Sequence, residues 1–177
     1  MAGATDYRNF YRLEDYLLYE VGPRFRTSGI IEPVDLFMIF IWKANRAKTK
    51  IRDNLKKRAN ESFGDAVAQI AAKLSATKDR KERLAILMRD WGFRLPMASA
   101  VLTILYPRDF TVYDRRLCDL LKLRYRSGLP FSEKTWIEYE RYQEAVCKNT
   151  PPGLTLRNRD RYLRLQSIKK DARAAVR

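Results

Sequence analysis

The chain of 177 residues contains no histidine and only two cysteines. Without an imidazole, general acid–base chemistry would fall to carboxylates, amines or phenols. Cys118 and Cys147 are too few and too far apart to predict a disulfide framework or a metal site. We therefore expect no metal and no other cofactor, and we expect the protein to work in a reducing compartment.

Long apolar runs are also missing. The longest, residues 36–42, is far shorter than the roughly 20 residues that a membrane-spanning helix needs. Residues 1–9 lack the apolar stretch of a signal peptide. We therefore expect no membrane partner and a cytoplasmic location.

Glycine and proline are scarce, with seven of each, and few segments alternate polar and apolar residues. Both observations favour helices over strands. We expect an all-α protein in which Gly22 and Pro23 end the first helix and Pro33 opens the second. A buried strand over residues 36–41 is the alternative for the second helix. The expected helices cover residues 6–21, 34–44, 48–59, 64–74, 79–91, 97–106, 115–123, 132–146 and 156–170.

Positive charge is in large excess, with 36 Lys and Arg against 21 Asp and Glu, a net charge of +15. Nucleic acid is the commonest partner of such a protein, followed by anionic membrane. Residues 43–58 hold eight basic residues and one acidic residue, and residues 157–177 hold eight and two. These blocks are either solvated helix faces or a footprint on a phosphate backbone. We expect a nucleic-acid partner, duplex DNA before RNA, and hence a nucleoid-associated protein of a prokaryote.

Residues 83–106 form a candidate helix–hairpin–helix unit. The connection is about four residues long and begins with Gly92. Backbone N–H groups in a tight turn that leads into a helix suit a phosphate, and Arg94 adds charge. An ordinary helical corner, with Gly92 as the stop and Pro96 as the next start, is the alternative.

Asp114 follows a short extended piece over residues 110–113 and precedes Arg115 and Arg116. A carboxylate at the start of a helix is usually a cap, and pairing with one of these arginines is the ordinary interpretation. The alternative is a carboxylate kept ionised by the helix dipole and by these two arginines. Such a group could stabilise a cationic sugar in a transition state or activate water.

Segments 91–100 (WGFRLPMASA) and 112–117 (VYDRRL) together resemble the endonuclease III-like, helix-hairpin-helix DNA glycosylase superfamily. The resemblance implies an orthogonal helical bundle that holds DNA with its hairpin and flips a damaged, modified or mispaired base beside the catalytic Asp114. It covers residues 33–123 of a single domain, 1–177, in which the helices of 131–177 pack back on the core. The implied reaction is cleavage of the N-glycosidic bond.

Segment 41–46 (IWKANR) lies where that family carries an amide that fills the gap left by the flipped base, which assigns this role to Asn45. Arg94 replaces the second hairpin glycine, and Pro96 falls near the position of the lyase lysine. The resemblance therefore implies a monofunctional glycosylase, or a relative that binds DNA without catalysis. Lys43 is the second candidate for a catalytic role, as an amine nucleophile. The candidate DNA-binding residues are Trp42, Lys43, Asn45, Arg46, Lys48, Lys50, Gly92, Arg94, Arg115 and Arg116.

Overall fold

The computed structural model describes residues 12–176, and within them it contains helices and no β-strand. The all-α prediction is therefore confirmed. Two wide π-helical turns, Leu17–Val21 and Ile86–Asp90, continue the helices that precede them, and a 3-10 turn, Asn45–Ala47, joins the third helix to the fourth. The helices are α1 (Leu13–Tyr16), α2 (Gly22–Ser28), α3 (Pro33–Ala44), α4 (Lys48–Ala59), α5 (Phe63–Ala76), α6 (Arg80–Ala85), α7 (Leu95–Leu105), α8 (Arg115–Leu120), α9 (Glu133–Lys148) and α10 (Leu156–Ala175).

Local capping residues explain where several helices begin. The Ser62 hydroxyl accepts a hydrogen bond from the Asp65 N–H, and the Asp65 carboxylate accepts one from the Ser62 N–H. This reciprocal box fixes the start of α5. Asp79 caps α6 in the same way by accepting from the Glu82 N–H at 2.6 Å. Residues 36–41 lie inside α3, so the strand alternative is wrong.

Gly22 and Pro23 do not end the first helix, contrary to expectation. The chain passes through the wide turn Leu17–Val21 into α2, which ends where Gly29 adopts a φ of 72°. Pro23 stands in the first turn of α2, where a missing N–H costs little. Gly22 serves packing instead, because a Cβ there would lie 2.4 Å from the carbonyl oxygen of Ile104.

Two helix ends also differ from expectation. Helix α8 stops at Leu120, after which Lys122 adopts a φ of 57°, so the predicted end at residue 123 is wrong. Helix α10 continues to Ala175, five residues past the predicted end at 170. The expected start of the first helix, residues 6–11, lies outside the described residues.

Helix α7 is the centre of the core. Its Val101, Leu102, Ile104 and Leu105 are completely buried, and burying each such side chain contributes roughly 1.5–3 kcal/mol. Helices α2, α3 and α6 pack against it, and α10 packs on α8 and α9. None of the helices in residues 12–176 has the length and apolar character that crossing a bilayer requires.

Candidate functional site

The hairpin between α6 and α7 is a tight reversal built on Gly92, whose φ is 68°. Only glycine adopts this left-handed conformation without strain. The Phe93 N–H donates to the Leu87 carbonyl at 2.9 Å, so this amide is used inside the hairpin. Helix α7 then begins after Arg94, whose side chain is exposed.

A cavity of about 420 Å³ lies between α4, the hairpin and the loop that follows α8. It brings together three of the predicted DNA-binding residues, Lys50, Gly92 and Arg94. Its walls are largely apolar, with a few polar side chains. The lining residues are Ala44, Ala47, Lys50, Ile51, Asn54, Leu55, Trp91, Gly92, Phe93, Arg94, Pro96, Met97, Tyr125 and Ser127.

Helix α4 contributes one wall through residues one turn apart. Lys50 and Asn54 both line the cavity and are exposed, whereas Leu55 beside them is 1% exposed and anchors the helix in the core. Residues four apart share one face of a helix. The same face therefore carries the positive charge of Lys50 and the amide of Asn54 along the cavity.

The loop after α8 forms the opposite wall. The ring of Tyr125 stacks on that of Tyr113, with centroids 5.3 Å apart and an interplanar angle of 12°. The Arg126 N–H donates to the Tyr113 hydroxyl at 3.0 Å. The sequence singled out neither Tyr125 nor Ser127, because no local pattern indicates which part of the core a loop will cover.

The extended segment 110–113 is held by buried hydroxyls. The Tyr139 hydroxyl donates to the carbonyl of residue 111 at 2.7 Å, and the Tyr142 hydroxyl donates to that of residue 112 at 2.8 Å. The N–H of residue 113 donates to the Ser99 hydroxyl at 2.9 Å. These bonds from α7 and α9 fix the backbone immediately before Asp114.

Asp114 pairs with Lys43, the other candidate for a catalytic role. The Lys43 amine lies 3.1 Å from the Asp114 carboxylate, and the two side chains are 16% and 24% exposed. The second carboxylate oxygen accepts from the Arg116 N–H at 2.9 Å, so Asp114 also caps α8. The side chains of Arg115 and Arg116 are exposed and make no ion pair within residues 12–176. The expected arginine pair is therefore wrong.

Asp114 is ionised at neutral pH. Burial by itself raises the pKa of this carboxyl group, but the Lys43 amine, the Arg116 N–H and Arg164 outweigh burial and lower the pKa below its ordinary value. Burial raises the pKa of the neighbouring Asp160, which is only 3% exposed, and Arg157 opposes that rise. Of the carboxylates of Asp114 and Asp160, that of Asp114 is therefore the one with partial access to solvent.

Trp42, the candidate for base stacking, is half-buried beside this cluster. The guanidinium carbon of Arg157 lies 5.2 Å from the centroid of its ring. Arg157 is itself buried, where it bonds to Glu14 at 2.6 Å and to Asp160. One face of the Trp42 ring is therefore already occupied.

Asn45, the candidate wedge, is exposed in the turn between α3 and α4. Its side-chain oxygen accepts from the Lys48 amine at 2.7 Å, which uses a second predicted DNA-binding residue. Arg46 is also exposed. Ala44 and Ala47 on either side line the cavity, but Asn45 does not. Asn45, Arg46 and Lys48 therefore stand at the margin of the cavity.

The C-terminal basic block divides into two parts. Arg157, Arg159 and Arg161 are engaged within the protein, the last through an ion pair with Glu14 at 2.7 Å. Lys169, Lys170 and Arg173 instead line a depression of about 670 Å³ beside α8. Arg164, between these two parts, is also exposed.

Five of the predicted site residues therefore fall into two neighbouring groups. The hairpin and α4 enclose the cavity, whereas Asp114 and Lys43 pair next to it without lining it. Ala44 follows Lys43 in the chain and Tyr125 stacks on the residue before Asp114, and both line the cavity. The described residues contain no cluster of acidic or cysteine side chains that could hold a metal ion. Comparison with protein-family models, with curated proteins and with solved structures gave no match.

Proposed function

We propose that this protein binds nucleic acid and that one strand of duplex DNA passes along the cavity between α4 and the hairpin. The observation that carries the proposal is that the hairpin and the basic helix α4, which are far apart in the sequence, line one cavity. Phosphate groups provide most of the affinity of such proteins, and cations along a groove follow the backbone.

The chemistry of the cavity suits a nucleotide strand. Ile51 is half-buried and offers apolar contact, the buried Phe93 and Met97 lie beneath the cavity, and the cations Lys50 and Arg94 are exposed. Apolar and aromatic contacts to bases combined with positive charge for phosphates are typical of strand-binding grooves. The depression beside α8, with Lys169 and Arg173, offers a second phosphate-binding surface.

The test is fluorescence anisotropy with a labelled duplex DNA at several salt concentrations, with a structured RNA and heparin as competitors. We expect Lys50→Gln and Arg94→Gln each to weaken duplex binding by roughly 3–10-fold and to lower the salt dependence by about one counterion. Lys148→Gln, an equal charge change at the exposed end of α9, is the matched control. Equal losses of affinity in all three variants would show that the cavity binds DNA no more specifically than the rest of the basic surface. If the structured RNA displaces the duplex preferentially, the partner is RNA rather than DNA.

Asp114 favours a second candidate function, hydrolysis of the N-glycosidic bond. The specific observation is an ionised, partly accessible carboxylate held rigidly beside the cavity. A fixed negative charge at this place would stabilise the oxocarbenium-like sugar that forms as the base leaves. Lys43 holds the carboxylate in position and keeps it ionised. The resemblance of segments 91–100 and 112–117 to the glycosylase superfamily supports this candidate.

Base release from duplexes that contain uracil, 8-oxoguanine, alkylated bases or mismatches tests this second candidate. We expect Asp114→Asn to abolish release while leaving duplex affinity within about twofold, because a carboxylate that acts on the transition state contributes little to ground-state binding. Release that persists in Asp114→Asn would remove Asp114 from the mechanism. If the protein binds duplex DNA but releases a base from none of these substrates, the non-catalytic function remains.

A further inference from the structure

Arg58 at the end of α4 lies flat against the hairpin. A Cβ on Gly92 would stand 2.5–2.7 Å from the Nη2, Nε and Cζ atoms of Arg58, so the guanidinium occupies the place where a side chain of residue 92 would lie. The Nη1 group of Arg58 donates to the Asp90 carbonyl at 3.1 Å, which fixes the guanidinium in this place. Sequence reasoning did not single out Arg58 as a binding residue.

The positive charge of the Arg58 guanidinium is not paired with a carboxylate in the described residues, and most of its N–H donors are free. The bond to the Asp90 carbonyl is its one hydrogen bond within residues 12–176, and no carboxylate in that range pairs with it. The residue is exposed. A planar guanidinium with free N–H groups binds phosphate with two parallel hydrogen bonds.

The position of Arg58 changes what the hairpin presents to a partner. The space above Gly92 is filled by the guanidinium, and the Phe93 N–H is already bonded to Leu87. Gly92 is itself exposed, so an anion that reaches this turn meets the Arg58 guanidinium beside the Gly92 peptide. Glycine at 92 thus has a second role besides its φ of 68°, because any side chain there would displace Arg58.

We propose that Arg58 is a phosphate-binding residue of the hairpin. The inference rests on the proposed function, because the phosphate is that of a nucleic-acid strand. Lys50, Asn54 and Arg58 recur every fourth residue on α4, a spacing of about 6 Å along the helix axis. Lys50 and Asn54 line the cavity, so this row leads a strand from the cavity to the hairpin.

The test compares Arg58→Gln with Lys57→Gln, which removes the same charge from the neighbouring exposed position of α4. Binding of labelled duplex DNA is measured against salt concentration. We expect Arg58→Gln to weaken binding roughly tenfold and to lower the slope of log K against log salt by about 0.9, with a smaller effect for Lys57→Gln. Arg58→Lys keeps the charge without the planar donors, and we expect it to be intermediate.

A double-mutant cycle isolates the contact between Arg58 and Gly92. We expect Gly92→Ala to weaken binding more in the wild-type background than in the Arg58→Gln background, because the strain of alanine at a φ of 68° acts in both, whereas displacement of the guanidinium acts only in the first. Thermal unfolding identifies any variant that fails to fold, in which case the comparison of Arg58→Gln with Lys57→Gln decides. If the wild type binds and Lys50→Gln weakens binding, but Arg58→Gln behaves like Lys57→Gln, this inference alone is overturned. If the wild type does not bind any duplex, the proposed function itself fails.

Discussion

The amine of Lys43 lies 3.1 Å from a carboxylate oxygen of Asp114, although 71 positions separate the two residues in the chain. The pair joins the last turn of α3 to the start of α8. Both side chains are mostly shielded from solvent. This ion pair therefore affects two properties, the free energy of unfolding and the negative charge of Asp114 at the candidate site.

The stability of the protein is expected to depend on pH through Asp114. Burial alone raises the pKa of this carboxyl group, but Lys43 and the Arg116 N–H outweigh burial, so the folded-state pKa lies below the ordinary value. Over the interval between these two values the unfolded chain binds more protons, and stability falls as the pH falls. We expect urea unfolding of the wild type to lose more free energy between about pH 5 and about pH 3 than unfolding of Asp114→Asn. Parallel pH profiles for the two proteins would contradict this assignment.

Lys43 and Asp114 are expected to be energetically coupled. In a cycle of Lys43→Met and Asp114→Asn, we expect a coupling free energy of about 0.5–3 kcal/mol, since each single change leaves the partner charge partly buried and unpaired. Lys81 and Glu133 form an exposed pair that serves as the control, with an expected coupling of about 0–1 kcal/mol. The measurement is urea unfolding at pH 7. Similar couplings for the two pairs would mean that shielding from water adds nothing at Asp114.

Gly22 is expected to tolerate no side chain. A Cβ at this position would lie 2.4 Å from the Ile104 carbonyl oxygen, which belongs to the backbone of the central helix and cannot move aside cheaply. We expect Gly22→Ala to destabilise the fold by roughly 1–3 kcal/mol, even though alanine is the better helix former. Gly128→Ala is the control, because a Cβ there meets no atom within 4 Å. An unchanged melting temperature for Gly22→Ala would show that α2 and α7 can separate without cost.

The hydroxyl of Tyr142 is expected to stabilise the segment before Asp114. Tyr142→Phe leaves the ring in place but removes the donor to the Val112 carbonyl, which is buried. An unsatisfied buried acceptor costs about 1–3 kcal/mol, so we expect unfolding to require correspondingly less urea. Tyr162→Phe, at a residue 37% exposed, is the control with no expected effect. Hydrogen exchange at residue 113 would report whether the segment itself loosens.

Features that depend on neighbouring residues could be predicted from the sequence. Helix α4 begins and ends at the predicted residues, 48 and 59, and α5 and α6 begin within one residue of the predicted starts, 64 and 79. Charge, periodicity and capping act within one or two turns, so a local pattern carries their information.

Features that depend on distant residues could not be predicted from the sequence. Gly22 was taken for a helix stop, because the backbone of Ile104 that requires a glycine there is 82 positions away. Asp114 was expected to pair with an adjacent arginine, yet Lys43 reaches it across the fold. The contact of Arg58 with Gly92 likewise joins residues that are far apart in the sequence. Each depends on which helices meet, and that is decided by tertiary packing rather than by local pattern.

The hydroxyls of Tyr139 and Tyr142 have a consequence for dissecting the molecule. Both belong to α9, yet they bond the backbone of residues 111 and 112, shortly before Asp114. A fragment cut after residue 123 would lose these anchors, and its Asp114 would no longer be held at one place. The two tyrosines thus make the C-terminal third of the chain a structural support of the candidate site. A shortened protein that keeps this site intact must include α9.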